Sequence, residues 1–163
     1  MRAFEWSPDG EHLAFLRFDE TEVPEFTMDM YNGKVYPDKM TFKYPKVGEK
    51  NAVVSVHYYN LKDGERTDIE LGGTDFEYIP RLKWTRDERF FSFQTMNRWQ
   101  NNLELYLVDV RTGKAGVILN ERNPYYIDAH DNLYFLEDGE RFIWTSEESG
   151  FNHIYLYNIK GEK

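Results

Sequence analysis

Apolar and polar residues alternate with a period of two along most apolar segments of this 163-residue chain. Successive side chains of a strand point to opposite faces of its sheet, so this pattern indicates strands with one buried face. Turn residues separate the segments, and no long amphipathic helical pattern appears. The sequence therefore predicts an all-β chain. The clearest alternating segments are His12–Phe18, Ala52–Tyr59, Leu103–Val110 and His153–Ile159, and the turns are Ser7–Gly10, Asp63–Gly64, Arg111–Gly113 and Asp138–Gly139.

An acidic turn followed by an alternating strand occurs three times along the chain. The three copies are Ser7–Phe15, Thr85–Phe93 and Leu136–Trp144. Asp138 follows Asp87 by 51 residues, whereas Asp87 follows Asp9 by 78, so the first unit carries 27 extra residues. A period of about 50 residues with about four strands per unit is typical of β-propeller blades. We expect about three antiparallel four-stranded blades, at about 1–70, 71–120 and 121–163. A β-sandwich with coincidental turns is the alternative.

The extra residues lie between Thr21 and Asn51 and predict an inserted β-hairpin arm at about 24–48. Two alternating stretches, Phe26–Tyr31 and Lys39–Tyr44, are joined by Asn32-Gly33. An isolated hairpin is marginally stable in water, so an arm with apolar residues on its surface is expected to dock on a partner. Packing back on its own propeller is the alternative. The residues predicted to dock are Pro24, Phe26, Met28, Met30, Tyr31, Met40, Phe42 and Tyr44.

Composition excludes several functions. The net charge of −9, with no Lys/Arg block, argues against nucleic acid as a partner, because phosphate binding needs a clustered positive face. The absence of cysteine excludes disulfides, thiol catalysis and thiolate metal sites. There is no apolar run long enough for a membrane span and no signal segment at the start. Because Met1 directly precedes a strand pattern, we expect a chain cut from a longer one.

Five segments occur in an order that is found in a known family. The most specific are Phe18–Pro24, which contains Asp-Glu-Thr-Glu-Val-Pro, and Tyr44–Asn51, which begins Tyr-Pro-Lys-x-Gly. With Phe4–Gly10, Asn97–Asn101 and Ser146–Tyr155, they span nearly the whole chain. They resemble the N-terminal propeller domain of dipeptidyl peptidase IV, a family of serine exopeptidases of the prolyl oligopeptidase group. The absence of cysteine looks more like a bacterial member than an animal one.

The resemblance implies a propeller that caps an α/β-hydrolase domain, where a Ser-Asp-His triad removes N-terminal dipeptides with proline or alanine second. No Gly-x-Ser-x-Gly nucleophile elbow occurs here. We therefore expect a non-catalytic propeller segment that shapes substrate access and needs no cofactor. The implied partners are the rest of the propeller, the hydrolase domain, the peptide substrate and a second subunit bound through the arm. An independent all-β protein- or glycan-binding module is the alternative.

The family's functional residues do not map onto this chain. Its pair of amine-binding glutamates would fall upstream of Met1. Its substrate-contacting arginine would fall near Asn123–His130, where no arginine aligns, since Arg122 lies too early. The resemblance also implies a parent protein that is periplasmic or exported.

Several residues imitate functional sites but have simpler interpretations. Glu147-Glu148 is expected to form a solvated hairpin turn, and Ser146 and Ser149 lack a nucleophile frame. The segment Asp128–Asp131 has too few ligands for a metal site, and Asp131-Asn132 is typical of a hairpin turn.

Most histidine and tryptophan residues are expected to have structural and not functional roles. His57 and His153 are expected on strand faces with local hydrogen bonds. Trp6, Trp84 and Trp144 are expected in the core between blades. The segment around Trp99 is expected to form a hairpin connection, and a glycan-binding surface is its alternative.

Overall fold

The computed structural model describes residues 3–72 and 75–163, and that part of the chain contains strands and no helix. It therefore holds no helix long and apolar enough to cross a membrane. The all-β prediction is confirmed. In chain order the strands are β1 (Phe4–Trp6), β2 (His12–Asp19), β3 (Glu25–Met30), β4 (Asp38–Lys43), β5 (Val53–Asn60), β6 (Glu65–Asp68), β7 (Tyr78–Trp84), β8 (Phe90–Met96), β9 (Asn102–Asp109), β10 (Lys114–Arg122), β11 (Tyr134–Phe135), β12 (Arg141–Ser146) and β13 (His153–Asn158).

The strands form three successive sheets and a separate hairpin. The first sheet has the order β1-β2-β5-β6, the second β10-β9-β8-β7, and the third β11-β12-β13. Strands β3 and β4 pair only with each other. The first two sheets each have the four strands predicted for a unit. The third sheet has three strands in the described residues. The blade boundaries at 1–70, 71–120 and 121–163 remain a prediction.

The chain divides into two compact units. One comprises Met1–Arg17 with Ser55–Lys163, and the other is Phe18–Val54. The second unit contains the β3–β4 hairpin, in the stretch of chain where the repeat spacing places the insertion, and the bounds of the arm at 24–48 remain a prediction. We call residues 24–48, which include this hairpin, the arm.

Each acidic turn has the same local hydrogen bond. The Oδ1 atoms of Asp9, Asp87 and Asp138 accept the backbone N–H of the residue two positions later, at 3.0, 2.8 and 2.9 Å. Such Asx turns give the backbone an alternative to the strand ladder and so reverse the chain. The three predicted repeats therefore share a structure as well as a sequence pattern.

A second set of turns repeats in the same way at the end of the following strand. Asn60 and Asp109 accept the N–H two residues later at 2.9 Å each, and Asn158 does so at 3.0 Å. Gly113 has φ 68° in one of these turns, a conformation that residues with a Cβ rarely adopt. Asn60, Asp109 and Asn158, which end their strands, are therefore turn-forming residues.

Neighbouring sheets are joined by hydrogen bonds as well as by apolar packing. The Trp84 backbone N–H and its indole Nε1–H donate to the Glu5 carboxylate and carbonyl at 2.8 and 2.9 Å. The Trp144 Nε1–H donates to Glu121 at 3.0 Å. Trp84 and Trp144 are both buried, so their predicted place in the core is confirmed.

The prediction that Trp6 lies in the core is wrong, because its side chain is 49% exposed. In the three-residue edge strand β1, alternation places Glu5 toward Trp84 and leaves Phe4 and Trp6 on the other face. The Glu5 carboxylate, and not the Trp6 ring, therefore faces the second sheet.

Candidate functional site

The arm is an amphipathic hairpin whose two faces are set by its strand register. Phe26 pairs with Phe42 and Met28 with Met40, which places four apolar side chains on one face. Thr27 pairs with Thr41 on the opposite face, where their hydroxyl oxygens are 2.8 Å apart. Two further pairs on that polar face combine opposite charges, Asp29 with Lys39 and Glu25 with Lys43.

Three aromatic rings form a small cluster at the base of the apolar face. The ring centroids of Phe26, Phe42 and Tyr44 lie 5.9 to 6.0 Å from one another, within the range of favourable aromatic pairs. The Lys46 ammonium lies 4.3 Å from the centroid of Phe26, close enough for a cation–π interaction. This cluster holds the hairpin together without covering its outer half.

The outer half of the apolar face is open to solvent. Met40 is 52% exposed, and Met28 and Tyr31 are also exposed, as is Tyr44 in the cluster at the base. Met30 and Phe26 are half-buried. The predicted docking residues thus occur together on one hairpin, where four of the eight are exposed and the other four are half-buried.

Two exposed apolar residues at the tip of the arm were not predicted from the sequence. Val35 and Tyr36 are 86% and 83% exposed, more than any of the predicted docking residues. They do not belong to an alternating run, so strand periodicity could not identify them. Their apolar character within a turn is the only signal that could have done so.

Asn32-Gly33, the predicted turn between the two strands, lies within a longer connection. β3 ends at Met30 and β4 begins at Asp38, so the connection runs from residue 31 to residue 37. Asn32 and Gly33 form a tight turn within it, with positive φ at both positions, closed by the Lys34 N–H donating to the Tyr31 carbonyl at 2.6 Å. The ladder resumes only after Pro37, because proline has no N–H to donate.

The acidic segment at the root of the arm is satisfied by local partners. Asp19 accepts from the backbone N–H and the hydroxyl of Thr21, at 3.0 and 2.6 Å. Glu22 pairs with Lys50, and Glu25 lies 3.8 Å from Lys43. Within residues 3–72 and 75–163, no group of three or more acidic, histidine or cysteine side chains is placed to hold a metal ion. The carboxylates thus serve turns and ion pairs.

His57 forms the centre of a buried hydrogen-bonded row. Its Nε2 lies 2.7 Å from the Ser55 hydroxyl, and its Nδ1 lies 2.7 Å from Asp68. The hydrogen bond from His57 lowers the pKa of the Asp68 carboxyl, with Arg66 adding to the effect. Ser55 lies within the central strand β5, not on a strand-to-helix turn, and the ring of Phe15 stacks on His57. The expected role of His57 as a strand-face residue with local hydrogen bonds is confirmed.

The carboxylates and histidine near the third sheet are also engaged. Glu147 and Glu148 lie in the turn between β12 and β13, where the Glu147 carbonyl accepts from Gly150 at 2.8 Å. His130 contacts the Thr145 carbonyl at 2.7 Å, and Asp131 pairs with Arg81 at 2.5 Å. The prediction of a hairpin turn at Asp131-Asn132 is wrong, because β10 and β11, which flank this segment, belong to different sheets.

A polar cavity of about 640 Å³ is lined by Arg122 and by asparagines of the β8–β9 turn. Asn97 closes the β8–β9 turn by accepting from the N–H groups of Asn101 and Asn102 at 3.1 and 3.2 Å, as expected for a hairpin connection. Trp99 lies in this turn with 79% of its surface exposed. Arg122 lines the cavity and donates to Asn102 at 2.9 Å.

The fold and the arm define a class of protein: a chain of repeated antiparallel sheets whose sequence is interrupted by one hairpin. The family model of the dipeptidyl peptidase IV (DPP IV) N-terminal region matches residues 1–163. The chain therefore belongs to the dipeptidyl peptidase IV N-terminal region family, as the sequence segments predicted.

Individual relatives agree with this assignment. Dipeptidyl peptidase 4 of Arthroderma otae is 33% identical over 97% of this chain. The crystal structure of Porphyromonas gingivalis dipeptidyl peptidase 4 superposes over 99% of the chain with a TM-score of 0.90 and 41% identity. That of a putative dipeptidyl aminopeptidase IV from Bacteroides ovatus covers 98% with a TM-score of 0.84 and 30% identity. The chain spans 22% of the length of the first relative and 23% of each of the two structures.

Proposed function

We propose that this chain is a non-catalytic propeller segment of a serine peptidase that removes N-terminal X-Pro and X-Ala dipeptides. In this proposal it shapes substrate access in an exported parent protein and helps to form a homodimer through the arm. Family membership and the dipeptidyl peptidase relatives support the first part. The amphipathic arm supports the second.

The single observation that carries the dimerisation proposal is the segregation of the arm's side chains. One face bears methionine and aromatic residues, of which Met28, Met40 and Tyr44 are exposed, and the other bears threonine and charged pairs. Exposed apolar surface of this kind, bordered by polar residues, marks interaction sites in soluble proteins. Methionine and aromatic residues are also enriched in the cores of protein interfaces.

Adjacent substitutions on β4 test this proposal in the full-length protein. Met40→Asp introduces a charge on the apolar face, and Thr41→Asp introduces the same charge on the polar face. We expect Met40→Asp to shift the dimer toward monomer by at least tenfold in dissociation constant, because an interface must desolvate that carboxylate. Thr41→Asp should leave the dimer unchanged. Sedimentation equilibrium measures both, and equal effects of the two variants would contradict the proposal.

Deletion of residues 25–46 removes the arm completely. The expected result is a monomeric full-length protein with its sheets intact. A deletion variant that keeps the mass of a dimer would show that the arm does not form the interface.

Exposed apolar faces on the first and third sheets support a place within a longer row of sheets. Phe4 pairs with Phe15 on the outer face of the first sheet, and Phe4 is exposed. On the outer face of the third sheet, Ile154 and Leu156 are exposed. Further sheets of the parent propeller would bury these side chains, as the three sheets bury one another's inner faces.

The segment is proposed to contribute no catalytic residue. We expect residues 1–163 alone to hydrolyse a Gly-Pro chromogenic substrate no faster than buffer, because the chain contains no Gly-x-Ser-x-Gly elbow. Turnover abolished by Ser55→Ala would contradict this expectation and would assign catalysis to the Ser55–His57–Asp68 row.

A second candidate function is glycan binding at the β8–β9 turn. Exposed Trp99 lies in the turn that supplies Asn97 and Asn101 to the polar cavity, and sugars are recognised by such aromatic and amide groups. A glycan array probed with the protein and with Trp99→Ala separates this candidate from the first. Binding that disappears in Trp99→Ala would support it.

A further inference from the structure

The connection between β3 and β4 contains a chemically reactive pair of residues. Asn32 is the one asparagine of this chain that precedes a glycine. Both Asn32 and Gly33 are exposed to solvent. The main-chain nitrogen of a glycine closely approaches the side-chain carbonyl of a preceding asparagine, because glycine has no Cβ to obstruct it. Asparagine is among the thermolabile residues of proteins, and this pair is its most reactive setting in the chain.

The two groups that must react are not held by hydrogen bonds. Among the residues that the structure describes, neither the Asn32 side chain nor the Gly33 N–H has a hydrogen-bond partner. Other asparagine side chains are engaged in turns, as those of Asn60, Asn97 and Asn158 are. The Asn32 amide and the Gly33 nitrogen are therefore free to meet.

Three aspartate–glycine pairs of the same chain provide a contrast. In each of them the glycine N–H already donates to a backbone carbonyl, at 3.0, 3.0 and 3.2 Å, so its nitrogen is not free to attack. Their carboxylates are also ionised at neutral pH, which makes them poorer electrophiles than an amide. Gly33 thus differs from the other glycines that follow a reactive side chain. The three pairs are Asp9-Gly10, Asp63-Gly64 and Asp138-Gly139.

Ring closure requires the turn at Asn32-Gly33 to open, and little opposes this opening. Asn32 has φ 42° and Gly33 has φ 78°, and the Lys34 N–H closes the turn by donating to the Tyr31 carbonyl at 2.6 Å. The Lys34–Asp38 ion pair is exposed, so it adds little stability. A Cβ placed on Gly33 would meet no atom within 4 Å, so the turn is not packed at this point. An exposed turn of this kind opens locally while the rest of the protein stays folded.

We infer that Asn32 is a site of spontaneous covalent modification, which converts it through a succinimide to aspartate and isoaspartate. The Gly33 nitrogen gives its proton to hydroxide and attacks the Asn32 side-chain carbonyl carbon. A C–N bond forms there, and the C–N bond to the side-chain NH2 group breaks, so that this group leaves with a proton as ammonia. Water then adds to the ring. Opening at the side-chain carbonyl yields aspartate, and opening at the main-chain carbonyl yields isoaspartate.

The modification changes the surface of the arm. It replaces a neutral amide by a carboxylate in the turn between Tyr31 and Val35, which are 57% and 86% exposed. Isoaspartate also adds a carbon atom to the main chain, so the hydrogen bond from Lys34 to Tyr31 cannot form in the same turn. The inference is independent of the proposed peptidase and dimerisation functions, because the chemistry needs only this turn and water.

The test follows the peptide that carries Asn32 in the full-length protein. The protein is incubated at mildly alkaline pH in water enriched in oxygen-18, then digested and analysed by chromatography and mass spectrometry. We expect heavy oxygen to enter at Asn32 and two products, aspartate and isoaspartate, to separate. Conversion should be at least about tenfold faster than at Asn152, which is exposed but precedes His153. Conversion no faster than at Asn152 would overturn the inference.

A synthetic peptide of residues 29–37 measures how far the folded turn protects Asn32. Because one hydrogen bond closes the turn in the described part of the chain, Asn32 should convert in the folded protein within about tenfold of its rate in the peptide. Stronger protection than this would overturn the inference, since it would mean that the fold holds Asn32 away from the Gly33 nitrogen.

Substitutions identify the attacking nitrogen. Gly33→Ala adds a Cβ beside that nitrogen without contacting another residue, and should slow conversion by at least about tenfold. Asn32→Gln keeps an amide but would have to close a larger ring, so it should show no conversion over the same time. Gly48→Ala changes another exposed glycine with positive φ in the arm and is the matched control, which should convert as the parent does. Unchanged conversion in Gly33→Ala would overturn the inference.

Discussion

The second sheet and the arm are built from similar alternating strands but end in opposite environments. In the second sheet Leu105 is fully buried, in a cluster that includes Trp144 of the third sheet, while Phe91 and Phe93 are buried on the other face. In the arm, every side chain of β3 and β4 is half-buried or exposed. Alternation thus shows which side chains share a face, but it does not show whether the chain itself covers that face.

The comparison also separates two sources of stability. The second sheet gains from removing apolar surface from water on both faces. The arm depends on cross-strand pairs, such as Phe26 with Phe42, which each contribute only a few tenths to about 1 kcal/mol. The arm is therefore the part of the chain with most to gain from a partner.

Truncating an apolar side chain in each region gives the largest expected difference. Leu105→Ala should lower the free energy of unfolding by about 2 to 5 kcal/mol, because it leaves a cavity in a closed core. Met40→Ala should change it by no more than about 0.5 kcal/mol, because Met40 already faces water. Hydrogen exchange of the backbone amides measures both changes in the free energy of unfolding. The protein concentration is kept below that at which dimers form. Similar losses would remove the distinction between the two regions.

Phe42→Ala tests whether the arm opens as a separate unit. Phe42 meets both Phe26 and Tyr44, so its loss should cost the hairpin about 1 kcal/mol and speed exchange of the β3 and β4 amides about fivefold. Amides of β8 and β9 should not change. Thr41→Ala is the matched control on the polar face and should have a smaller effect. Faster exchange in the second sheet would show that the arm and the sheets unfold together.

Much of this fold could be predicted because its signals are local. The strand pattern and the repeated Asx turns depend on neighbours a few positions apart, and the excess of residues in the first unit follows from counting between those turns. The Asp9, Asp87 and Asp138 turns have nearly identical hydrogen bonds because a side chain and the N–H two residues later decide them. The same locality made the arm recognisable as a hairpin.

What could not be predicted depends on contacts between distant segments. Glu5 takes the inward position in β1 because Trp84, in another sheet, supplies two donors to it. No feature of Phe4–Trp6 reveals that partner. The cavity lined by Trp6, Trp84 and Tyr134 could not be predicted for the same reason, since these residues come from three different sheets. The exposed arm tip was missed because Val35 and Tyr36 lie outside any periodic run.

Acidification should weaken the second sheet through Asp109. The hydrogen bond from Arg89, at 2.5 Å, lowers the pKa of the Asp109 carboxyl below its ordinary value of 3.8, although burial opposes this. The folded protein then binds fewer protons than the unfolded chain, so this stabilisation is complete above about pH 4 and is lost as the pH falls through the lowered pKa. The protection factors of the β9 and β10 amides, which are exchange rates corrected for the intrinsic pH dependence, should therefore fall below pH 4.

Asp109→Asn is the control for this pH effect, because it cannot titrate. It should be less stable than the parent at pH 6, and the difference between the two proteins should shrink toward pH 3. No difference between the two proteins at pH 6 would mean that Asp109 stabilises the sheet only through the hydrogen bond that its Oδ1 accepts from the Arg111 N–H, which asparagine retains, and not through charge.

The smallest expected effect compares one turn from each region. Gln100 in the β8–β9 turn has φ 54°, and Asn32 in the arm has φ 42°, both in the left-handed region. That region costs most side chains about 1 to 2 kcal/mol, but asparagine tolerates it better than glutamine. Gln100→Gly should therefore stabilise the β8–β9 turn by about 0.5 kcal/mol after the entropy cost of glycine, and Asn32→Gly should change the arm less. Thermal denaturation and local exchange measure both, and a larger gain at Asn32 would mean that the arm's turn, not that of the second sheet, stores the greater backbone strain.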